Sequence, residues 1–188
     1  MKKITVLLLS LCLLAFSACK KKSNTPSIVG AWKLANITGM VIYNSNPSVY
    51  DTVTYSYSNT DNIYTRIEDY YEPFEHLTIT YQVNNDDWSF NADGTYSISE
   101  SYSQNNPVTT LTNNATGAWE YLGNTHANDG LILTGASSAL FPNFSKTNNT
   151  YRIQTLNSST LVLTVINNQT SSTGTIYYNN IVITFSKK

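Results

Sequence analysis

The chain has 188 residues, of which only 12% are charged and 14 are tyrosine, with a formal net charge of −1. A typical soluble domain carries about 25% charged residues, so this chain is polar through Asn, Thr, Ser and Tyr, as exported β proteins often are. From residue 28 onward the basic residues are Lys33, Arg66, Lys146, Arg152, Lys187 and Lys188, scattered among all 12 acidic residues, which excludes the clustered cationic surface that nucleic acid requires.

Met1-Lys2-Lys3 is a positive start, followed by an apolar stretch from Ile4 to Phe16 and the small residues Ser17-Ala18. This order predicts a secretory signal over residues 1–18. The apolar stretch is shorter than the about 20 residues a membrane-spanning helix needs, and no later segment approaches that length. Cys19 stands where processing is expected. Residues 19–27, with Lys20-Lys21-Lys22 and Pro26, read as a polar tether. Cys12 falls inside the signal, so Cys19 is the only cysteine left in the mature chain. A disulfide framework and thiolate metal sites are thereby excluded.

Phe16-Ser17-Ala18-Cys19 resembles the lipobox of bacterial lipoproteins. That resemblance implies a diacylglycerol on the Cys19 thiol, cleavage before it and acylation of its new amine. Stable anchoring takes two or more acyl chains. No Asp follows Cys19 and the tether has no acidic residue. By the same resemblance, this implies an outer-membrane lipoprotein facing the periplasm, with the cell surface as the alternative.

Residues 28–188 are expected to form one domain. Period-two alternation recurs along them: Val53, Tyr55 and Tyr57; Leu77, Ile79, Tyr81 and Val83; Tyr96, Ile98 and Tyr102; Ile181, Ile183 and Phe185. Each set predicts an antiparallel strand with one apolar face. Asn91-Ala92-Asp93-Gly94 and Asn157-Ser158-Ser159 read as hairpin turns. Asn59–Asp61, Gln104–Thr109 and Gly135–Asn149 read as loops. The pattern predicts an all-β, antiparallel up-and-down β-barrel of roughly eight to ten strands, or else a β-sandwich.

Ile28-Val29-Gly30-Ala31-Trp32-Lys33-Leu34 opens this domain. Trp88–Tyr96, Gly117-Ala118-Trp119-Glu120-Tyr121, Leu131-Ile132-Leu133, Tyr151-Arg152-Ile153, Leu161-Val162-Leu163 and Ile183-Thr184-Phe185 follow. This order resembles the lipocalin-like domain of Gram-negative lipoproteins. The resemblance implies that Gly30 and Trp32 close one end of the barrel. It also implies a basic residue from late in the chain stacked on Trp32, with Arg152 and Lys187 as the two candidates.

Catalytic chemistry finds no recognisable constellation. His76 and His126 are the only histidines, and both read as surface residues. Glu68-Asp69 with Tyr70-Tyr71, Glu72 and Glu75 reads as a solvated acidic loop. Ser89-x-Asn91-x-Asp93-Gly94 with Glu100 mimics calcium-loop spacing, but Ser stands where Asp is needed and the flanks alternate as strands. No catalytic residue, metal or cofactor is therefore expected. An eight-stranded barrel is just wide enough for its own side chains or one small ligand. Tyr55, Tyr57, Tyr81, Trp88, Tyr96 and Trp119 are the candidate lining of such a ligand site, with core packing as the alternative role. The expected partner beyond the membrane is a small hydrophobic or amphipathic molecule. The second functional class is a non-enzymatic module for a glycan or an envelope protein, and a hydrolase built on His76 or His126 is the third. Nothing in the sequence fixes an oligomeric state.

Overall fold

β-Branched and aromatic residues that alternate with Ser and Thr favour extended backbone, and the chain follows this preference almost throughout. A computed structural model describes residues 27–46, 49–71, 74–105, 108–122, 130–135, 138, 149–165, 170–171 and 174–188. Cys19, the signal, the tether up to residue 26, Glu72, His126 and most of the expected 135–149 loop lie outside the described residues. The strands are β1 (Gly30–Asn46), β2 (Val49–Ser58), β3 (Ile63–Tyr70), β4 (Glu75–Phe90), β5 (Thr95–Asn105), β6 (Val108–Tyr121), β7 (Leu131–Gly135), β8 (Asn149–Leu156), β9 (Thr160–Val165), β10 (Thr170–Ser171), β11 (Gly174–Asn179) and β12 (Val182–Lys187). No helix occurs among the described residues.

β1 to β9 pair in chain order, β9 pairs with β12, and β12 pairs with β1, all antiparallel. Ten strands therefore form a closed up-and-down ring, as the sequence pattern anticipates. β10 and β11 form a small hairpin that continues the sheet along β1 from Val41 to Asn44.

The ring forks along β1. From Gly30 to Lys33, β1 pairs with β4; from Asn36 to Asn46, the same edge pairs with β2. The β2–β3 turn sits at the fork. The Asn59 amide donates to the Ala35 carbonyl (3.0 Å) and the Val83 amide donates to the Asn62 carbonyl (2.8 Å). Asn62 takes a left-handed conformation (φ 57°) there, which Asn tolerates better than most residues. An irregularity in β1 between Leu34 and Asn36 marks the same level. Closure thus needs no β2 or β3 at the Trp32 end, whereas the other end is widened by both.

The turns hold their register through side chains. The Thr95 amide and hydroxyl donate to Asp93 Oδ1 at 2.9 and 2.7 Å, and Gly94 supplies φ 83°. The Ser159 and Thr160 amides donate to Asn157 Oδ1 at 2.9 and 2.8 Å. Asp93-Gly94 is therefore a hairpin turn, consistent with the strand flanks of that motif.

Two expectations are corrected. Within the expected 104–109 loop, Gln104 pairs with Thr109 and Asn105 with Val108, so these four residues extend the β5 and β6 strands, while 106–107 lie outside the described residues. Glu68-Asp69 is not a solvated loop either. Both lie in β3, and Glu68 is only 5% exposed. The inner face of β3 is Tyr64, Arg66, Glu68 and Tyr70, a polar series that masks the strand signal.

One hydrophobic cluster lies inside the ring. Trp32, Leu34 and Ile37 from β1 meet Leu131, Leu161, Ile183 and Phe185 with no exposed surface. Each such side chain contributes about 1.5–3 kcal/mol through burial.

Candidate functional site

The inner face divides into an aromatic end and a polar end. At the aromatic end the Trp32 indole donates to the Ile28 carbonyl at 2.6 Å. Lys187 Nζ lies 4.6 Å from the Trp32 ring centroid and donates to the Val29 carbonyl at 2.9 Å. A Cβ at Gly30 would come within 2.8 Å of Lys187 Nζ, so glycine at that position is what admits the ammonium. Lys187 takes this place, while Arg152 is exposed on β8.

Trp88, Tyr96 and Trp119 belong to the same end. The Trp88 and Tyr96 rings stack at 6.3 Å, Trp88 meets Phe185 edge-on at 5.2 Å, and Phe90 meets Trp119 edge-on at 6.1 Å. Ring pairs at these separations contribute about 0.5–1.5 kcal/mol beyond burial.

Tyr55, Tyr57 and Tyr81 stand at the other end. Tyr57 pairs across the sheet with Tyr64, and Tyr64 with Tyr81. The Tyr64 and Tyr81 rings lie 6.1 Å apart, and Tyr81 meets Tyr102 edge-on at 5.1 Å. Arg66 lies over the Tyr55 ring, 6.0 Å from its centroid. Sequence reasoning thus grouped six aromatics that the fold separates into two sets.

Between these sets runs a polar row that the sequence reading did not assemble. Asp86 on β4, Glu100 on β5 and Asn113 on β6 are successive cross-strand partners. Asp86 has no exposed surface and Glu100 has 2%. The Asn113 amide donates to Glu100 Oε2 at 2.9 Å, and the Ser138 hydroxyl donates to Glu100 Oε1. The Trp88 indole donates to Asp86 Oδ1 at 2.7 Å. Among the described residues, neither the buried Asp86 Oδ2 nor the buried Tyr57 hydroxyl has a partner. Further along β3, Arg66 pairs with Glu68, which also accepts from the Tyr70 hydroxyl at 2.5 Å.

Burial first, then the facing Glu100 carboxylate, pushes the Asp86 carboxyl well above the usual range, against the lowering effect of the Trp88 bond. Both causes oppose ionisation of the Asp86 carboxyl. Burial raises the Tyr57 hydroxyl to about 12, with Asp86 and Asp61 adding to the shift. Tyr70 is pushed up to about 12, first by its bond to Glu68. Burial also raises Tyr64 and Tyr102, and Glu100 adds to both shifts.

His76 has a carboxylate neighbour. Its Nδ1 lies 2.5 Å from Asp69 Oδ1 and its Nε2 lies 3.2 Å from the Thr78 hydroxyl. The order matches a hydroxyl–base–orienter relay. The His76 and Asp69 side chains are 64% and 53% exposed, on directly opposed strand positions. Cross-strand register accounts for the contact.

The signal for the polar row was partly present. Glu100 shares the parity of Tyr96, Ile98 and Tyr102, so alternation alone turns it inward. Among the described residues no group of three or more His, Cys, Asp or Glu side chains could hold a metal ion. No family model, curated protein or solved structure matches the chain.

Proposed function

We propose that this chain is a non-enzymatic, lipid-anchored envelope lipoprotein whose barrel holds a small amphipathic molecule. Cys19, in Phe16-Ser17-Ala18-Cys19, is the lipid attachment site, and the outer membrane, on its periplasmic side, is the address. The lipocalin-like reading draws support from Lys187 on the Trp32 ring beside Gly30, the arrangement that resemblance leads one to expect.

The observation that carries the ligand is that Tyr57 Oη and Asp86 Oδ2, on the inner face, are among the buried polar atoms left unmatched by the described residues. An unsatisfied buried polar group costs about 1–3 kcal/mol. A fold built only for its own stability gains nothing from two of them, whereas a guest with a polar end satisfies both. Its apolar part would lie toward the Trp88 and Phe185 rings and its polar part against the tyrosines. Native mass spectrometry of the purified chain tests this: a bound small molecule is expected, and a bare protein mass that takes up no added amphiphile contradicts it. Labelled fatty acid should enter the wild type and not Cys19→Ala.

One observation favours an interaction module as the second reading. Tyr71 and Phe74 lie 5.2 Å apart at the β3–β4 connection, with Phe74 78% exposed. Such a pair suits the face of a sugar ring. Binding on a glycan array that Phe74→Ser abolishes would favour this role.

A further inference from the structure

Asp86 and Glu100 are directly opposed on neighbouring strands, on the buried face. Like-charged side chains at such positions are destabilising, and buried carboxylates persist when paired or hydrogen-bonded. Glu100 accepts from Asn113 and from Ser138. Asp86 accepts from Trp88, and among the described residues its Oδ2 has no partner. Arg66, the cation described on the inner face of β3, is engaged with Glu68. Asp87, next to Asp86, is bonded to Lys188 at 2.5 Å. The row therefore sets a second buried carboxyl beside that of Glu100, with one of its oxygens unmatched. An unmatched hydroxyl, Tyr57 Oη, lies close enough to Asp86 to feel its charge.

We infer that the polar end of the ligand is a protonated amine, seated between Asp86, Glu100 and the Tyr57 hydroxyl. This rests on the ligand-binding reading above and names its substrate class. An ammonium group is a compact cation with three donors and no acceptor. It complements Asp86 Oδ2, the Glu100 carboxylate and a phenolic oxygen together. The rings of Tyr57, Tyr64 and Tyr81 add the aromatic faces that attract organic cations. An anionic guest meets the Glu100 carboxylate beside a second carboxyl group and is repelled. A bare metal ion lacks a third carboxylate or imidazole ligand among the described residues, whereas an amine with an apolar tail suits both ends of the ring.

The test is calorimetric titration of the purified full chain with 2-phenylethylamine and hexylamine, beside the neutral 2-phenylethanol and hexanol and the anionic 3-phenylpropanoate. Calcium is titrated in a parallel run. The amines are expected to bind at least tenfold more tightly than the alcohols, with no binding of the anion. Asp86→Asn and Glu100→Gln should each remove that preference and leave alcohol affinity within about twofold, with far-UV circular dichroism confirming the fold. Equal binding of amines and alcohols overturns the amine assignment but leaves a ligand-binding barrel standing. An amine preference that survives both substitutions, or calcium binding that displaces the amine, overturns it too. Failure of every probe, joined to a bare native mass, removes both readings.

Discussion

Lys187 and Trp32 fasten the first and last strands of the ring together. The ammonium lies 4.6 Å from the indole centroid and bonds the Val29 carbonyl, while the Trp32 indole bonds the Ile28 carbonyl. One cation and one ring thereby satisfy the backbone that leads into β1 from the final strand. Residues separated by nearly the whole described chain meet at one point, so this contact forms only when the ring closes.

Trp32→Ala should therefore destabilise the protein by about 3–5 kcal/mol, as expected for deleting a fully buried aromatic. Lys187→Met keeps the aliphatic stem and loses the cation and one hydrogen bond, for about 1–2 kcal/mol. Thermal melts of both variants check the order. At roughly 2–4 °C per kcal/mol for a chain of this size, Lys187→Met should melt a few degrees low and Trp32→Ala much lower.

Asp86 makes stability fall as pH rises. Its folded-state pKa is raised above the ordinary carboxylate value, chiefly by burial and by Glu100. The folded state thus binds the proton more tightly than the unfolded chain. The associated stability is fully present below about pH 4, the unfolded pKa, and is lost as pH climbs towards the folded value. The groups acting on it are Glu100 from β5, Asp87 and Trp88 from β4, and Lys33 from β1. Asp86→Asn keeps the acceptor for Trp88 and removes the ionisation. Urea unfolding at pH 5 and pH 8 should show a smaller loss for Asp86→Asn than for wild type. Each tenfold gain in proton affinity that Asp86 makes on folding adds about 1.4 kcal/mol to that difference.

Tyr57→Phe should have opposite effects on stability and on binding. Deleting a buried hydroxyl without a partner relieves a desolvation penalty, so the ligand-free protein gains about 1 kcal/mol. The same deletion removes a contact to the guest and should weaken amine affinity several-fold. Alkaline absorbance titration supplies a second check. A tyrosine ionising near about 12 should disappear from the Tyr57→Phe profile. Since the Tyr57 pKa is raised on folding, its contribution to stability is present below the ordinary value of 10.0 and is lost as pH rises towards about 12.

At Gly117, β5, β6 and β7 leave no room for a side chain. A Cβ there would lie 2.3 Å from the Thr134 carbonyl and 2.6 Å from the Tyr96 ring. Gly117→Ala should cost about 1–3 kcal/mol, the range for forcing an atom into a packed interior. A matched Gly94→Ala should cost less through contacts, as its nearest neighbour is 3.5 Å away, though its φ of 83° adds backbone strain. Denaturant midpoints of the pair separate crowding from strain.

The strands that alternate apolar and polar residues were legible, and so was the all-β ring they build. What hid the polar row was a change of parity inside β4. Odd-numbered Tyr81 and Val83 turn inward; after the irregularity between Val83 and Asn85, even-numbered Asp86, Trp88 and Phe90 do. Counting forward from Leu77 buries Asp87, and counting back from Phe90 buries Asp86. Asn84-Asn85-Asp86-Asp87 carries nothing local that says where the extra residue falls. β3 was hidden for another reason, because Arg66 and Glu68 occupy inward positions and cancel the apolar period. The fork of β1 from β4 to β2 depends on partners distant in sequence, so no local pattern encodes it. Lys187 and Arg152 were equal candidates for Trp32 until register put Lys187 directly opposite.

Crystallographic density around Asp86 and Tyr57, in protein purified from its native envelope, tests the central claim most directly. The account predicts an organic molecule within hydrogen-bond distance of both Asp86 Oδ2 and Tyr57 Oη, with its apolar part toward Trp88 and Phe185. Asp86 and Tyr57 bonded to each other, or to ordered water alone in a filled interior, would contradict it.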